Sequence, residues 1–445
     1  MNTKLITPII ILSVSPLFSG NVFAGTVSFS GCDVEKVSVP TNTGLQAVYV
    51  LRSGTDATIT YTATTGATVT WQRYSNLGGG YAENVTGISH SGNTYSIAAG
   101  SADIGYIITE GTSSPVCFWV VNYANHAYDV NSLNVVDSDC DRVTLSTDKP
   151  VEAINYYTTT GRREEVDRGI VLTYNTLEYS SDDNVYNQVQ SESTYSSLGT
   201  TFTAIAPLCD TQFTLKPDKF ALKWGIGSEV QSQSLTATAV QATTSAVQAD
   251  RSVDNEQKME TEGLGGSAPC EITFNATVTD AAIYRRWEIS STADFEDILL
   301  SYDQTEFSYT FTEAGTTYVR FTADNAAGTC AYEGEVYTIA IGDSRLECPN
   351  AFSPGTSEGV NDEWRVSYRS IISFDCHIFN RWGQQLAHLT DPSQGWDGRS
   401  GGKIVGPGVY FYVIKAKGSD GKDYNLSGDI NIIGSRRDNN ATTTE

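Results

Sequence analysis

Apolar and polar side chains alternate in short runs along most of this chain. In Ala57-Thr58-Ile59-Thr60-Tyr61 every second residue is apolar, which is the period of a strand with one buried face. Val69-Thr70-Trp71, Val151-Glu152-Ala153-Ile154-Asn155-Tyr156, and Trp364, Val366 and Tyr368 repeat the pattern. Ile283, Trp287 and Ile289 fall on one strand face with Arg285, and a core strand is expected from Gly169 to Tyr174. Val116-Cys117-Phe118-Trp119-Val120-Val121 and Val409-Tyr410-Phe411-Tyr412-Val413-Ile414 are apolar at successive positions. Each run predicts a strand, and the second, apolar on both faces, is expected to be the central strand of its unit. Gly, Pro, Ser and Asn separate the runs and set turns. No long amphipathic helical pattern is present. The chain reads as all-β, built from tandem sandwiches.

Breaks in this pattern divide the 445 residues. A strand-rich unit occupies 25–137, and a second occupies 138–230. Within the second, the polar stretch 179–197, centred on Ser181-Asp182-Asp183-Asn184, is expected as a long exposed loop. Residues 231–269 turn to Ser, Thr, Gln, Ala and Glu and read as a polar linker. A compact sandwich follows over 270–342, then a terminal unit over 343–437 and a disordered tail over 438–445. Cys32, Trp71 and Cys117 stand in the Cys…Trp…Cys order of an immunoglobulin-like sandwich. The run from Phe311 through Gly315 and Tyr318-Val319-Arg320-Phe321 to Asn325 and Gly328 resembles the penultimate strand and turn of polycystic-kidney-disease-type and immunoglobulin-like domains. The fold class expected is therefore tandem immunoglobulin-like β-sandwich domains.

The first residues carry a different signal. Lys4 precedes the short apolar stretch 5–17, and Val22-Phe23-Ala24 gives the small-x-small pattern of a cleavage site, so 1–24 reads as a signal peptide. That stretch is shorter than the roughly 20 apolar residues of a membrane helix, and no transmembrane segment is expected in the mature chain. The formal charge is −24, from 52 acidic and 28 basic residues. Such a balance repels nucleic acid and anionic lipid, and neither is expected as a partner. An exported chain with eight cysteines favours disulfides. Sequential pairing, Cys32–Cys117, Cys140–Cys209, Cys270–Cys330 and Cys348–Cys376, places one bridge in each of four units, among about a hundred possible pairings.

The terminal unit carries the most specific motifs. Pro349-Asn350-Ala351-Phe352-Ser353-Pro354 and Gly359-Val360-Asn361-Asp362-Glu363-Trp364 are followed by Ile378-Phe379-Asn380-Arg381-Trp382-Gly383 and Gly395-Trp396-Asp397-Gly398. Pro407-Gly408-Val409-Tyr410 and Gly428-Asp429-Ile430-Asn431 close the series. These blocks, in this order over 348–437, resemble the gliding motility-associated C-terminal domain, a type B sorting domain of the Bacteroidetes type IX secretion system. The resemblance implies export across the outer membrane to the cell surface or the medium. The partners it implies are the translocon and the attachment machinery. The loop 354–362 is one residue longer than the family's and lacks its central Asp.

Catalytic chemistry is not assembled by local motifs. Gly355-Thr356-Ser357-Glu358-Gly359 matches G-x-S-x-G but lies in a loop, where a nucleophile elbow needs a strand before and a helix after. His90, His126, His377 and His388 have no metal-ligand spacing, and Ser181-Asp182-Asp183-Asn184 lacks the calcium-loop pattern. Glu164 and Glu165 lie in the mixed-charge run 161–168, expected as a solvated turn. No cofactor, metal or catalytic set is expected, and the chain reads as non-enzymatic. The leading expectation is an adhesion or ligand-interaction protein with an extracellular protein or glycan as ligand. A carbohydrate-binding protein, suggested by the 24 tyrosines and seven tryptophans, and a purely structural surface or matrix component are the alternatives. For all seven tryptophans burial is the expected setting.

Overall fold

The computed structural model describes residues 25–259, 263–356 and 359–434. The expected signal peptide, the tail 438–445 and the serine of the G-x-S-x-G match lie outside the described residues. The architecture is all-β, four sandwich units with one short α-helix, Lys219–Trp224, among the described residues.

The first unit packs a four-stranded sheet (Gly25–Ser30, Thr58–Ala63, Thr94–Ala98, Ser89–Ser91) on a six-stranded one. Its inner side chains include Ile59, Tyr61, Trp71, Ile108 and Phe118. The strand Val116–Asn122 lies inside the larger sheet and is buried at all seven positions. Alternation explains why. Val116, Phe118 and Val120 fill the first sandwich, while Cys117, Trp119 and Val121 point the other way into the core of the second unit. The first two units therefore share a continuous core, which also takes in Val143, Leu145, Leu172 and Phe213.

The second unit begins earlier than its composition suggests. Leu133–Ser138 pairs with Arg142–Thr147, which pairs in turn with Thr201–Ile205. The expected exposed loop 179–197 is mostly strand. Val185–Tyr195 pairs along its whole length with Ile170–Ser180, and 181–184 is only the hairpin tip. This ribbon is polar because much of Val185–Tyr195 faces solvent, so backbone pairing rather than burial holds it. Arg163–Val166, expected as a turn, is likewise a strand paired with Ile154–Tyr157. Glu164 is half-buried and Glu165 exposed there, so strand alternation puts the two carboxylates on opposite faces.

Three junctions tie the units together. At the first, Asp218 caps the Lys219–Trp224 helix by accepting from the backbone N–H of Phe220 (3.1 Å) and Ala221 (2.9 Å). The same carboxylate accepts from Arg168 Nε (2.8 Å) and Tyr123 Oη (3.0 Å). Arg168 and Asp218 are 1% and 0% exposed, a burial that charges tolerate only when paired and fully hydrogen-bonded. The guanidinium completes its bonds on the carbonyls of Glu152 (2.8 Å) and His126 (2.6 Å).

At the second junction the structure corrects the cysteine pairing. The disulfide joins Cys140 to Cys330, across the second and third units. Cys140 lies in the turn after Leu133–Ser138, and Cys330 precedes Ala331–Glu333. The pairings Cys140–Cys209 and Cys270–Cys330 are thereby excluded. Cys32–Cys117 fails by strand geometry, because Cys117 belongs to the core shared with the second unit while Cys32 packs on the first. Cys348 and Cys376 share the terminal core, yet both are free thiols.

The expected linker 231–269 is largely structured. Ala242–Gln248 pairs over seven residues with Cys270–Val278 and forms the first strand of the third unit. Leu264–Gly266 pairs with Tyr337–Ile341. Between them the chain straps onto the terminal unit. Tyr368 N–H donates to the Asn255 carbonyl (3.1 Å), Gln257 N–H donates to the Tyr368 carbonyl (2.7 Å), and Asn255 Nδ2 donates to the Val366 and Pro392 carbonyls (2.7 and 2.8 Å). Amide and backbone bonds need no apolar residue, so hydropathy does not register the strap.

Two buried tyrosines at these junctions and a half-buried one inside the terminal unit make the fold alkali-sensitive. Burial pushes the hydroxyl of Tyr123 up to about 12, with the Asp218 charge adding to it. Burial also raises Tyr368 and Tyr412 to about 12, aided by Glu256 and by Cys348 respectively. Each folded value lies above the ~10 of a free tyrosine. The stability they confer is therefore full below pH ~10 and lost as pH rises through the folded values. The melting temperature is expected to fall steadily above pH ~10, with a late tyrosinate absorbance step that coincides with unfolding. Full ionisation of all tyrosines near the free value, with no loss of melting temperature, contradicts this.

Candidate functional site

The terminal unit is built on a five-stranded sheet in the order Ala351–Phe352, Asp423–Ile432, Gly408–Gly418, Ile371–Phe379, Gln385–Leu389. One face covers a core of Phe352, Trp364, Val366, Tyr368, Cys376, Ile378, Trp396, Ile414 and Ile430. The motif blocks mostly build this unit. Phe352 packs against Trp396 at 5.5 Å between ring centroids. Trp364 Nε1 donates to the Pro349 carbonyl (2.7 Å), and Trp396 Nε1 donates to the Arg399 carbonyl (3.0 Å). Asn350 offers its carbonyl to Asn431 N–H (2.9 Å) and Nδ2 (3.0 Å), and Asp429 accepts from the same amide (2.8 Å). Asp397 accepts from Arg399 N–H (3.0 Å) to form its turn. A Cβ on Gly398 would meet Pro354 and Phe352, and one on Gly428 would lie 2.7 Å from the Tyr412 hydroxyl, so close packing requires glycine at both.

Asp362 shows what the lengthened loop does. One carboxylate oxygen accepts from Gly355 N–H (2.9 Å) and the other from Gly359 N–H (2.7 Å), while the Asn361 carbonyl accepts from Ser353 N–H (2.9 Å). The Asp362 carboxylate and the Asn361 carbonyl thus tie the described parts of the loop together. Gly406 accepts from the Tyr410 hydroxyl (2.8 Å) across the turn of Pro407 and Gly408.

The other face of the sheet is open. Gly408–Gly418 is central, as its apolar run predicts, but it is not buried on both sides. Val409, Phe411 and Val413 are 48%, 43% and 42% exposed, because no second layer among the described residues covers that face. Phe379 sits beside Phe411, and His377 beside Val413, in register across the neighbouring strand. At the rim, Asn380 Oδ1 accepts from Trp382 and Gln384 N–H (both 3.0 Å) and folds a tight turn closed by Gly383. That turn lifts Trp382 into solvent at 76% exposure, with the Arg381 guanidinium 4.4 Å from its ring centre. Trp382 thus departs from the burial expected of every tryptophan. The tight turn needs Asn and Gly, and the tryptophan at its apex has no core to reach. A second open apolar feature is the edge strand Ile298–Tyr302 of the third unit, where Ile298, Leu299 and Leu300 are all exposed.

The four histidines are not all isolated. His90 stacks on Tyr95, and His126 meets Asp103 at 2.5 Å. His377 and His388 oppose each other across paired strands, with Asp375 beside them. Linear spacing does not reveal this, because the partners lie eleven positions apart and meet only once the strand register is set.

Residues 346–432 match the CHU_C Type IX secretion signal domain, and residues 132–232 match a fibronectin type III domain. The fold and these matches define a tandem array of immunoglobulin-like sandwiches that ends in a secretion signal domain. The signal domain implies handling by the type IX system and export across the outer membrane. No curated protein matches the chain. Among solved structures, a tetra-tandem repeat from the extending region of a large adhesion protein is 13% identical, covers 92% of this chain and 100% of its own, and superposes with a TM-score of 0.22. Three N-terminal domains of the bacteriophage RB49 Highly Immunogenic Outer Capsid protein are 10% identical, covering 68% of this chain and 100% of theirs at a TM-score of 0.22. The BSP domain of a biofilm associated protein is 9% identical, covering 95% and 97%, at a TM-score of 0.16.

Proposed function

We propose that the chain is a non-enzymatic interaction protein, displayed on or released from the cell surface by the type IX system. The signal-domain match over 346–432 carries this reading. The matched domains are of non-catalytic kinds, and sandwiches of this kind place binding on loops and edges held by a rigid core. A protein ligand is favoured over a glycan. The exposed aromatics Tyr81, Tyr284, Trp382 and Phe411 are scattered over three units rather than arrayed on one face. The edge strand Ile298–Tyr302 offers free backbone groups and apolar side chains to an added strand.

The test is fractionation of cells that possess the secretion system. The full chain is expected outside the cell, and a chain ending at Ser344 is expected to accumulate in the periplasm with residues 25–341 still folded by their melting profile. Periplasmic retention of the full chain in a translocon-deficient strain completes the pattern. If the shortened chain reaches the surface, the terminal unit is an ordinary sandwich and the proposal fails.

A further inference from the structure

We propose that Asp375, His377 and His388 form a binding site for a divalent transition-metal ion of the zinc class on the open face of the terminal sheet. His377 and His388 face each other in register across antiparallel strands. Their rings stack nearly parallel, 7° apart with centroids at 4.3 Å. Asp375 lies two residues before His377, so strand alternation brings its carboxylate to the same face. One of its oxygens lies 2.6 Å from His388 Nε2 and the other 3.4 Å from His377 Nε2. A ligand atom from each of the three residues lies within 4.8 Å of the other two. With metal–nitrogen and metal–oxygen bonds of about 2.0–2.2 Å, ligand atoms sit roughly 3–4 Å apart, so small side-chain rotations close the set around one ion.

The surroundings prepare the donors. His377 Nδ1 donates to Gln385 Oε1 at 3.1 Å. That bond holds a proton on Nδ1, so Nε2, 3.4 Å from the Asp375 carboxylate, is the nitrogen left to ligate, which is how an outer partner readies a ligating histidine. His388 Nε2 now shares a proton with Asp375. On binding, that proton moves to Nδ1 or leaves to solvent, and both Nε2 atoms and the carboxylate face the ion. Two imidazoles and a carboxylate suit zinc, cobalt, nickel or copper, whereas calcium and magnesium favour all-oxygen sets. The three side chains remain 31–47% exposed, so at least one coordination position stays open to water or to a donor from another molecule. The site is independent of the secretion reading.

Titration of the full chain with Zn2+, followed by calorimetry, is expected to show one saturable site per chain and a raised melting temperature. His377→Ala and His388→Ala should each abolish it, and Gln385→Ala should weaken it by at least about tenfold. Co2+ substitution reads the donors directly. Visible d–d bands without the near-ultraviolet thiolate charge-transfer band identify the histidine–carboxylate set, whereas a thiolate band assigns the metal to the free cysteines and overturns the proposal. Because both histidines are on the surface, the variants should keep the wild-type metal-free melting temperature. A variant that loses it is replaced by His388→Gln. Binding that persists unchanged in the double histidine variant, or no saturable binding in the wild type, also overturns it.

Discussion

Asp218→Ala is expected to destabilise the first two units by about 3–5 kcal/mol, the range for removing one member of a buried ion pair. The carboxylate does three things at once. It neutralises Arg168, caps the Lys219–Trp224 helix, and accepts from the Tyr123 hydroxyl that belongs to the segment leaving the first unit. Its loss strands a guanidinium at 1% exposure with only the carbonyls of Glu152 and His126 as partners. Asp218→Asn keeps a capping oxygen, which by itself is worth about 1 kcal/mol, and so should recover only the smaller part. Urea unfolding with hydrogen exchange should place the loss within residues 25–232 and leave 345–432 unchanged. A loss below about 1 kcal/mol, the scale of an exposed pair, would show that the junction is not held by this charge.

Removing the Cys140–Cys330 bridge should cost about 2–4 kcal/mol and loosen the second unit from the third. The bridge spans 190 residues, for which loop-closure entropy alone gives up to about 5 kcal/mol. The cores on the two sides of the bridge are separate, so part of that restraint acts on docking rather than on folding. Other hydrogen bonds across this junction are partly exposed, among them Tyr186 to Thr243 (3.0 Å), Thr277 to Asn184 (2.9 Å) and Asn325 to the Thr238 carbonyl (3.1 Å). In the Cys140→Ser, Cys330→Ser variant, amide exchange around Asn184 and Thr238 should accelerate while the strand Gly315–Asp324 stays protected. Non-reducing peptide mapping should recover the Cys140–Cys330 pair. A Cys140–Cys209 peptide would refute both the bridge and the expected effect.

The sequence by itself determined the class of fold and the identity of the terminal unit. Period-two alternation survives tertiary folding, which is why Ile59, Trp71 and Trp287 are buried in strands as the pattern predicts. The ordered motif blocks of 348–437 point to a secretion signal domain because most of their residues close turns or fill one core, and both uses restrict residue type. Only the tertiary structure decided what depends on partners distant in sequence. Polar strands such as Ala242–Gln248 and Val185–Tyr195 are held by backbone pairing, so their composition reads as linker and loop. Apolar continuity in Val116–Asn122 and Gly408–Gly418 looks alike in sequence, yet one strand is covered by a second unit and the other faces solvent. The cysteine pairing and the meeting of His377 with His388 follow from unit docking and strand register, which no local spacing encodes.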